Sequence, residues 1–345
     1  MRGLTGRVGL ILALLTFMSG CAATTGAPAQ SESVRVEEER FLMLGGIDQF
    51  VTIRGDDPAN PVLLFIHGGP GDVQSPFVAD YALYERDFTL IQWDQRGAGR
   101  TYGRHGEDTP NLTLDRLARD GIELAEYARE RFGAPVLLLG HSWGSVIAAE
   151  MAVRRPDLFA AYVGTGQVGG WDRAVRYQYD LVRRDAESRG DAETLAALDA
   201  LDPFDPKDVQ DFLAVNARLR AMLGPADAAW LDGIVAHTQA AVAPEDQDAI
   251  GGGMTLSGIT LFPAQTQEDL FSSAARLEVP VFVIQGREDL FTPTDVARDW
   301  FDQLDAPVKR FTVLEGAGHF ALVTHAGAFR DALNAAAAEA LQSGR

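Results

Sequence analysis

The chain has 345 residues, with 49 Asp and Glu against 30 Lys and Arg, for a formal net charge of −19. So acidic a balance argues against nucleic acid as a partner and against a membrane held by charge; solubility is its plainest consequence. The length suffices for one large core plus an inserted lobe, and a single cysteine, Cys21, rules out an intramolecular disulfide.

In chain order, Arg2 and Arg7 precede an apolar run from Val8 to Met18. This is the length of a signal-peptide core and too short to span a bilayer comfortably. Ser19-Gly20-Cys21 then resembles the lipobox of bacterial lipoproteins, with Met18 departing from the usual Leu. The resemblance implies removal of residues 1–20, lipidation of Cys21 and, because Ala22 follows rather than Asp, an outer-membrane anchor facing the periplasm. The alternative is an ordinary secretory signal cut near Ala22-Ala23. Residues 21–40, rich in Ala, Thr, Ser, Gln and Glu, read as a flexible tether. Val34–Leu44 and Gln49–Arg54 also read as an antiparallel hairpin around Gly45-Gly46.

Val62–Ile66 is a fully apolar strand that runs into His67-Gly68-Gly69-Pro70-Gly71. Glycines there let backbone amides approach a substrate, so the amide of Gly68 or Gly69 is a candidate oxyanion donor, with His67 bracing the loop. The strand Thr89–Trp93 leads into Asp94-Gln95-Arg96-Gly97, a turn expected to be held by an Asp94–Arg96 or Asp94–backbone contact. Leu114–Phe132 is an amphipathic helix ending at Gly133. Val136–Leu139 then enters Gly140-His141-Ser142-Trp143-Gly144, and the apolar helical stretch Ser145–Val153 follows. This is the G-x-S-x-G pattern between a strand and a helix, a context that lifts a serine hydroxyl into the open. The Trp143 amide is then placed to donate to an oxyanion, while His141 is expected to point away from the nucleophile.

Strand signals vanish between Trp171 and about Phe262, which reads as a helical cap following the strand Ala161–Gly164. Gly251-Gly252-Gly253 within it is expected to be a plain loop or a lid hinge. The strand Val279–Gly286 is followed by Arg287-Glu288-Asp289, and Thr292-Pro293 reads as an N-cap with proline at the first helical position. Phe311–Leu314 ends in Glu315-Gly316-Ala317-Gly318-His319, and His325 falls near the start of the last helix. A serine nucleophile needs a base and the base needs an orienting acid. The order Ser142, Asp289, His319 supplies them, with Glu288 the competing carboxylate. No His, Cys or carboxylate cluster has metal-ligand spacing and no glycine loop leads into a phosphate site, so neither metal nor cofactor is expected.

Together, His67-Gly68-Gly69-Pro70-Gly71, Asp94–Arg100, Gly140–Gly144, Gly286–Asp289 and Gly316–Phe320 resemble the proline iminopeptidase (prolyl aminopeptidase) family of serine hydrolases. That resemblance implies an α/β-hydrolase fold, a mostly parallel sheet covered by helices on both faces with an inserted helical cap. It implies an oxyanion hole of Gly68 and Trp143, a contribution of Gly69 to substrate binding, and release of N-terminal residues from short peptides. The expected division is core 41–169, cap 170–263 and core 264–345. The family binds the substrate amine through cap glutamates; Glu187, Glu193 and Glu245 are available here, but none sits in a matching motif. Hydrolysis of esters or non-peptide amides is the alternative, and a non-catalytic surface lipoprotein the remote one. The sequence says nothing of oligomeric state.

Overall fold

The computed structural model describes residues 35–134, 136–203 and 209–343. The signal, the lipidation site Cys21 and nearly all of the tether fall outside the described residues. The tether's end is corrected, because residues 36–40 belong to the first strand.

Among the described residues, eight strands form one sheet in the order β1-β2-β4-β3-β5-β6-β7-β8. They are β1 (Val36–Leu44), β2 (Ile47–Gly55), β3 (Val62–Ile66), β4 (Thr89–Trp93), β5 (Val136–His141), β6 (Phe159–Thr165), β7 (Val281–Gly286) and β8 (Lys309–Leu314). Strand β2 runs antiparallel to both neighbours, and β4, β3, β5, β6, β7 and β8 pair in parallel. The β1–β2 hairpin closes through Gly45 and Gly46, both at positive φ (56° and 81°), as the two-residue turn demanded by the Leu44–Ile47 pairing requires.

The central strands are continuous apolar runs because helices cover both faces of the sheet. Alternation along each strand feeds two separate cores. Val62, Leu64 and Ile66 of β3 join one cluster and Leu63 and Phe65 the other. The same split holds for Val136 and Leu138 against Leu137 and Leu139. Each such side chain taken fully from water contributes about 1.5–3 kcal/mol, so the sheet centre is the best anchored part of the molecule.

Register aligns the carboxyl ends of the parallel strands. Ile66 lies opposite Gly140, His141 opposite Thr165, and Gly286 opposite Leu314. The loops that leave these ends therefore converge at one edge, where ligands of open α/β sheets bind. Among the described residues, six helices intervene between β6 and β7: Trp171–Arg189, Ala192–Asp199, Val209–Arg220, Pro225–Ala241, Pro244–Thr266 and the short Leu270–Ser273. Among the described residues, their own packing centres on two small satellite cores, with Val182, Leu198, Val215 and Leu219 buried in one and Trp171, Val175 and Phe262 in the other.

Two local expectations are corrected. Gly251, Gly252 and Gly253 form neither loop nor hinge, since they lie inside the helix Pro244–Thr266. A Cβ on Gly253 would fall 2.9 Å from the Gly97 carbonyl, so glycine there permits close helix packing. Arg96 does not bind Asp94. It pairs with buried Asp120 at 2.8 Å and donates to the Pro110 and Gly45 carbonyls. Asp94 instead accepts from Ser75 Oγ at 2.6 Å and from the Arg100 amide at 2.9 Å, the backbone contact that was the other expectation.

Candidate active site

Ser142 follows β5 directly, with φ 55° and ψ −128°, a left-handed conformation that a residue with a side chain adopts at a cost. The strain persists because the surroundings over-determine it. A Cβ on Gly144 would lie 2.1 Å from the Ile66 carbonyl, and one on Gly140 would lie 2.7 Å from the Gly144 carbonyl. The Ser142 amide donates to Thr165 O at 3.1 Å, and its carbonyl accepts from the amide and hydroxyl of Ser145. Trp143 is the first residue of the helix Trp143–Arg154, so its N–H has no partner within the helix.

His319 lies on the loop after β8 and is buried. Its Nδ1 sits 2.9 Å from Asp289 Oδ2 and 3.1 Å from Oδ1. Asp289, on the loop after β7, is itself held on several sides. It accepts from the amides of Phe291 and Thr292, from Thr292 Oγ1 at 2.8 Å and from Gln285 Nε2 at 3.0 Å. Glu288, the competing carboxylate, is exposed. Burial acts to lower the His319 pKa, but Asp289, Asp227 and Asp72 together raise it above the ordinary histidine value. The His319 ring is enclosed by His141 (centroids 4.8 Å apart), Phe320 (5.1 Å) and Phe291 (5.3 Å). Thr292 is not the cap expected of it. Pro293 occupies that position, and the Thr292 hydroxyl lies between Asp289 and His319.

Gly68 follows β3, and a Cβ there would fall 2.8 Å from the Ser142 Cβ, so only glycine admits the loop this close. His67 braces it as expected. Its Nδ1 lies 3.0 Å from Gly68 O, and its Nε2 accepts from the Gln95 amide at 3.2 Å. Burial lowers the His67 pKa to about 4 and that of His141 to about 3, so both rings stay neutral. The His141 ring packs on His319, and His141 is among the residues that line the same cavity as Ser142.

That cavity measures about 460 Å³. Ser142, Trp143, Gly69 and His319 line its floor, and Trp171, Phe212, Leu213, Trp230, Ile234 and Met254 come from the inserted helices. Its wall also holds two carboxylates and, among the described residues, no lysine or arginine. Asp72 accepts from the Val73 amide at 2.8 Å and from Gln74 Nε2 at 3.0 Å, and burial pushes its pKa up to about 6. Glu268 accepts from Ser273 Oγ, and burial raises it too. Trp171 Nε1 and Gln178 Oε1 are buried without a protein hydrogen-bond partner. Glu187 and Glu193 are exposed and do not line the cavity; Glu245 lies in the first turn of the helix Pro244–Thr266. No group of three His, Cys, Asp or Glu side chains among the described residues is placed to hold a metal. Sequence reasoning missed Asp72, Glu268 and Asp227; only Asp72 carried a signal, its position directly after the glycine loop.

A serine held at positive φ between strand and helix, a buried His–Asp pair and a glycine loop at one edge of such a sheet define a class. The chain belongs to the alpha/beta hydrolase fold family, whose sequence model matches residues 61–326. Within that family it is similar to the probable aminopeptidase YbaC of Bacillus subtilis, at 28% identity over 88% of this chain and 97% of that protein. It is also similar to a proline iminopeptidase of Lactobacillus delbrueckii subsp. lactis, at 23% identity over 86% and 96% of the two chains. The fold matches the crystal structure of a proline iminopeptidase-related protein from Thermus thermophilus. The TM-score is 0.61 at 24% identity, covering 88% of this chain and 98% of the other.

Proposed function

We propose that the chain is a serine hydrolase that releases the N-terminal residue of short peptides, with Ser142 as nucleophile, His319 as base and Asp289 as the acid that orients it. The buried His319–Asp289 pair, facing the same cavity as a serine held at positive φ, carries the reading. In the mechanism, His319 takes the Ser142 proton as the hydroxyl attacks the scissile carbonyl. The amides of Trp143 and Gly68 receive the oxyanion, and the amine product leaves with the proton from His319. Water, deprotonated by the same imidazole, then hydrolyses the acyl-enzyme. No cofactor enters these steps.

Three features support a peptide with a free amine. The similarity to the probable aminopeptidase spans nearly both chains. Asp72 and Glu268 bring negative charge to a cavity wall without cationic side chains, and an ammonium leaving water needs such a partner. Trp171 Nε1 and Gln178 Oε1 leave a donor and an acceptor for polar groups of the substrate. Gly69, on the cavity floor, would contact the acyl portion. A second reading, hydrolysis of esters or non-peptide amides, draws on the aromatic, apolar wall contributed by the inserted helices. The test compares free with N-acetylated prolyl, alanyl and leucyl anilides and with nitrophenyl esters, using Ser142→Ala as control. Turnover of free-amine anilides supports the aminopeptidase; turnover of esters alone replaces it with the second reading.

The envelope location belongs to the same proposal and rests on the lipobox-like Ser19-Gly20-Cys21. Mass spectrometry of the mature N-terminus from a bacterial host would show a diacylglyceryl adduct on Cys21. An unmodified N-terminus near Ala23 would contradict it.

A further inference from the structure

The loop that carries His319 does not satisfy its own backbone. The amide of His319 donates to Asp227 Oδ2 at 2.6 Å, and that of Phe320 lies 3.4 Å from Asp227 Oδ1. Asp227 belongs to the inserted helix Pro225–Ala241, 92 positions before His319. It is buried and, unlike Trp230 of the same helix, does not line the cavity. A carboxylate in a first helical turn ordinarily faces water or caps its own helix; this one is turned onto another segment. The fit is close, since a Cβ on Gly318 would stand 2.2 Å from Asp227 Oδ2. The same helix begins at Gly224, against the Glu288 carboxylate of the loop that carries Asp289. Further along, it is tied to the core by His237, 2.7 Å from Asp80 and stacked on Phe77.

We propose that Asp227 is a positioning residue, supplied by the inserted helices, that holds the His319 loop in place and completes the electrostatic environment of the base. The base is then fully assembled only when the helix Pro225–Ala241 is seated, which links closure over the cavity to catalytic competence. The inference rests on the serine-hydrolase reading above. Four groups face the imidazole: Asp289 from the loop after β7, Asp72 from the loop after β3, His141 from β5 and Asp227 from the helix. Asp227 is among the carboxylates that raise the His319 pKa, so removing its charge lets that pKa fall.

The experiment follows the rate at which a fluorophosphonate labels the full-length protein as a function of pH, a readout independent of the natural substrate. Wild type is compared with Asp227→Asn, which keeps shape and one acceptor, and with Asp227→Ala, which removes both. Circular dichroism and Tm verify that each variant is folded. The expected result is a plateau rate lowered about 10- to 100-fold, more in Ala than in Asn. The acid limb should move to lower pH by about half a unit to one unit in Asn. A labelled wild type whose limb and plateau both variants share would overturn the inference. An unlabelled wild type would remove the nucleophile reading and the inference with it.

Discussion

The sheet and the inserted helices reach the cavity with different chemistry. From the strand ends come the Ser142 hydroxyl and the Asp289 carboxylate, after the buried β5 and β7, and the His319 imidazole, after the partly exposed edge strand β8. From the insertion come mostly indole, phenyl and aliphatic groups, carried on helices with small satellite cores. The proposed reaction geometry tolerates little displacement and is built on the sheet, whereas substrate shape would be set where sequence can vary without unfolding it. Asp227 crosses this division, because through it an inserted helix grips the loop of His319.

The division can be broken or sharpened by substitution. Ser142→Ala should have the largest effect, a loss of about 10⁶-fold in kcat with the fold retained, because it removes the proposed nucleophile and nothing from either core. Asp289→Asn should lower kcat about 10⁴-fold, while Glu288→Gln, on an exposed side chain of the same loop, should leave it unchanged. Equal losses in the two would break the assignment of the orienting acid.

Asp72→Asn should lower kcat/KM for free-amine substrates about 10- to 100-fold and spare esters. Its effect on stability has the opposite sign. The folded-state pKa of Asp72, about 6, lies above its usual 3.8, so folding penalises the ionised form. That penalty is absent below pH 3.8, grows as pH rises towards 6 and is fully present at pH 7, so the Asn variant should melt a few degrees higher there. A smaller effect on catalysis should come from Trp230→Ala in the insertion, which should raise KM several-fold with kcat little changed. A large fall in kcat would mean that the insertion does more chemistry than its apolar wall suggests.

The core was legible because its constraints are local. A glycine that must approach Ser142, a serine on a tight turn and an acid just after an apolar strand all leave marks within five residues. The insertion was legible only as helical, and its content was not. Asp227 reads as an unremarkable first-turn acid beside Pro225, and its role exists only through a partner 92 positions away. Gly251–Gly253 reads as a loop because glycine lowers helix propensity, yet close packing against Gly97 overrides that preference. Arg96 similarly finds Asp120, a pairing between a loop and a distant helix that adjacency to Asp94 conceals.

The most direct test of the central claim is peptide mapping of the protein after reaction with a fluorophosphonate. The account predicts one adduct, on the hydroxyl of Ser142, that forms far more slowly in His319→Ala. An adduct elsewhere, or a folded protein that forms none, would contradict it.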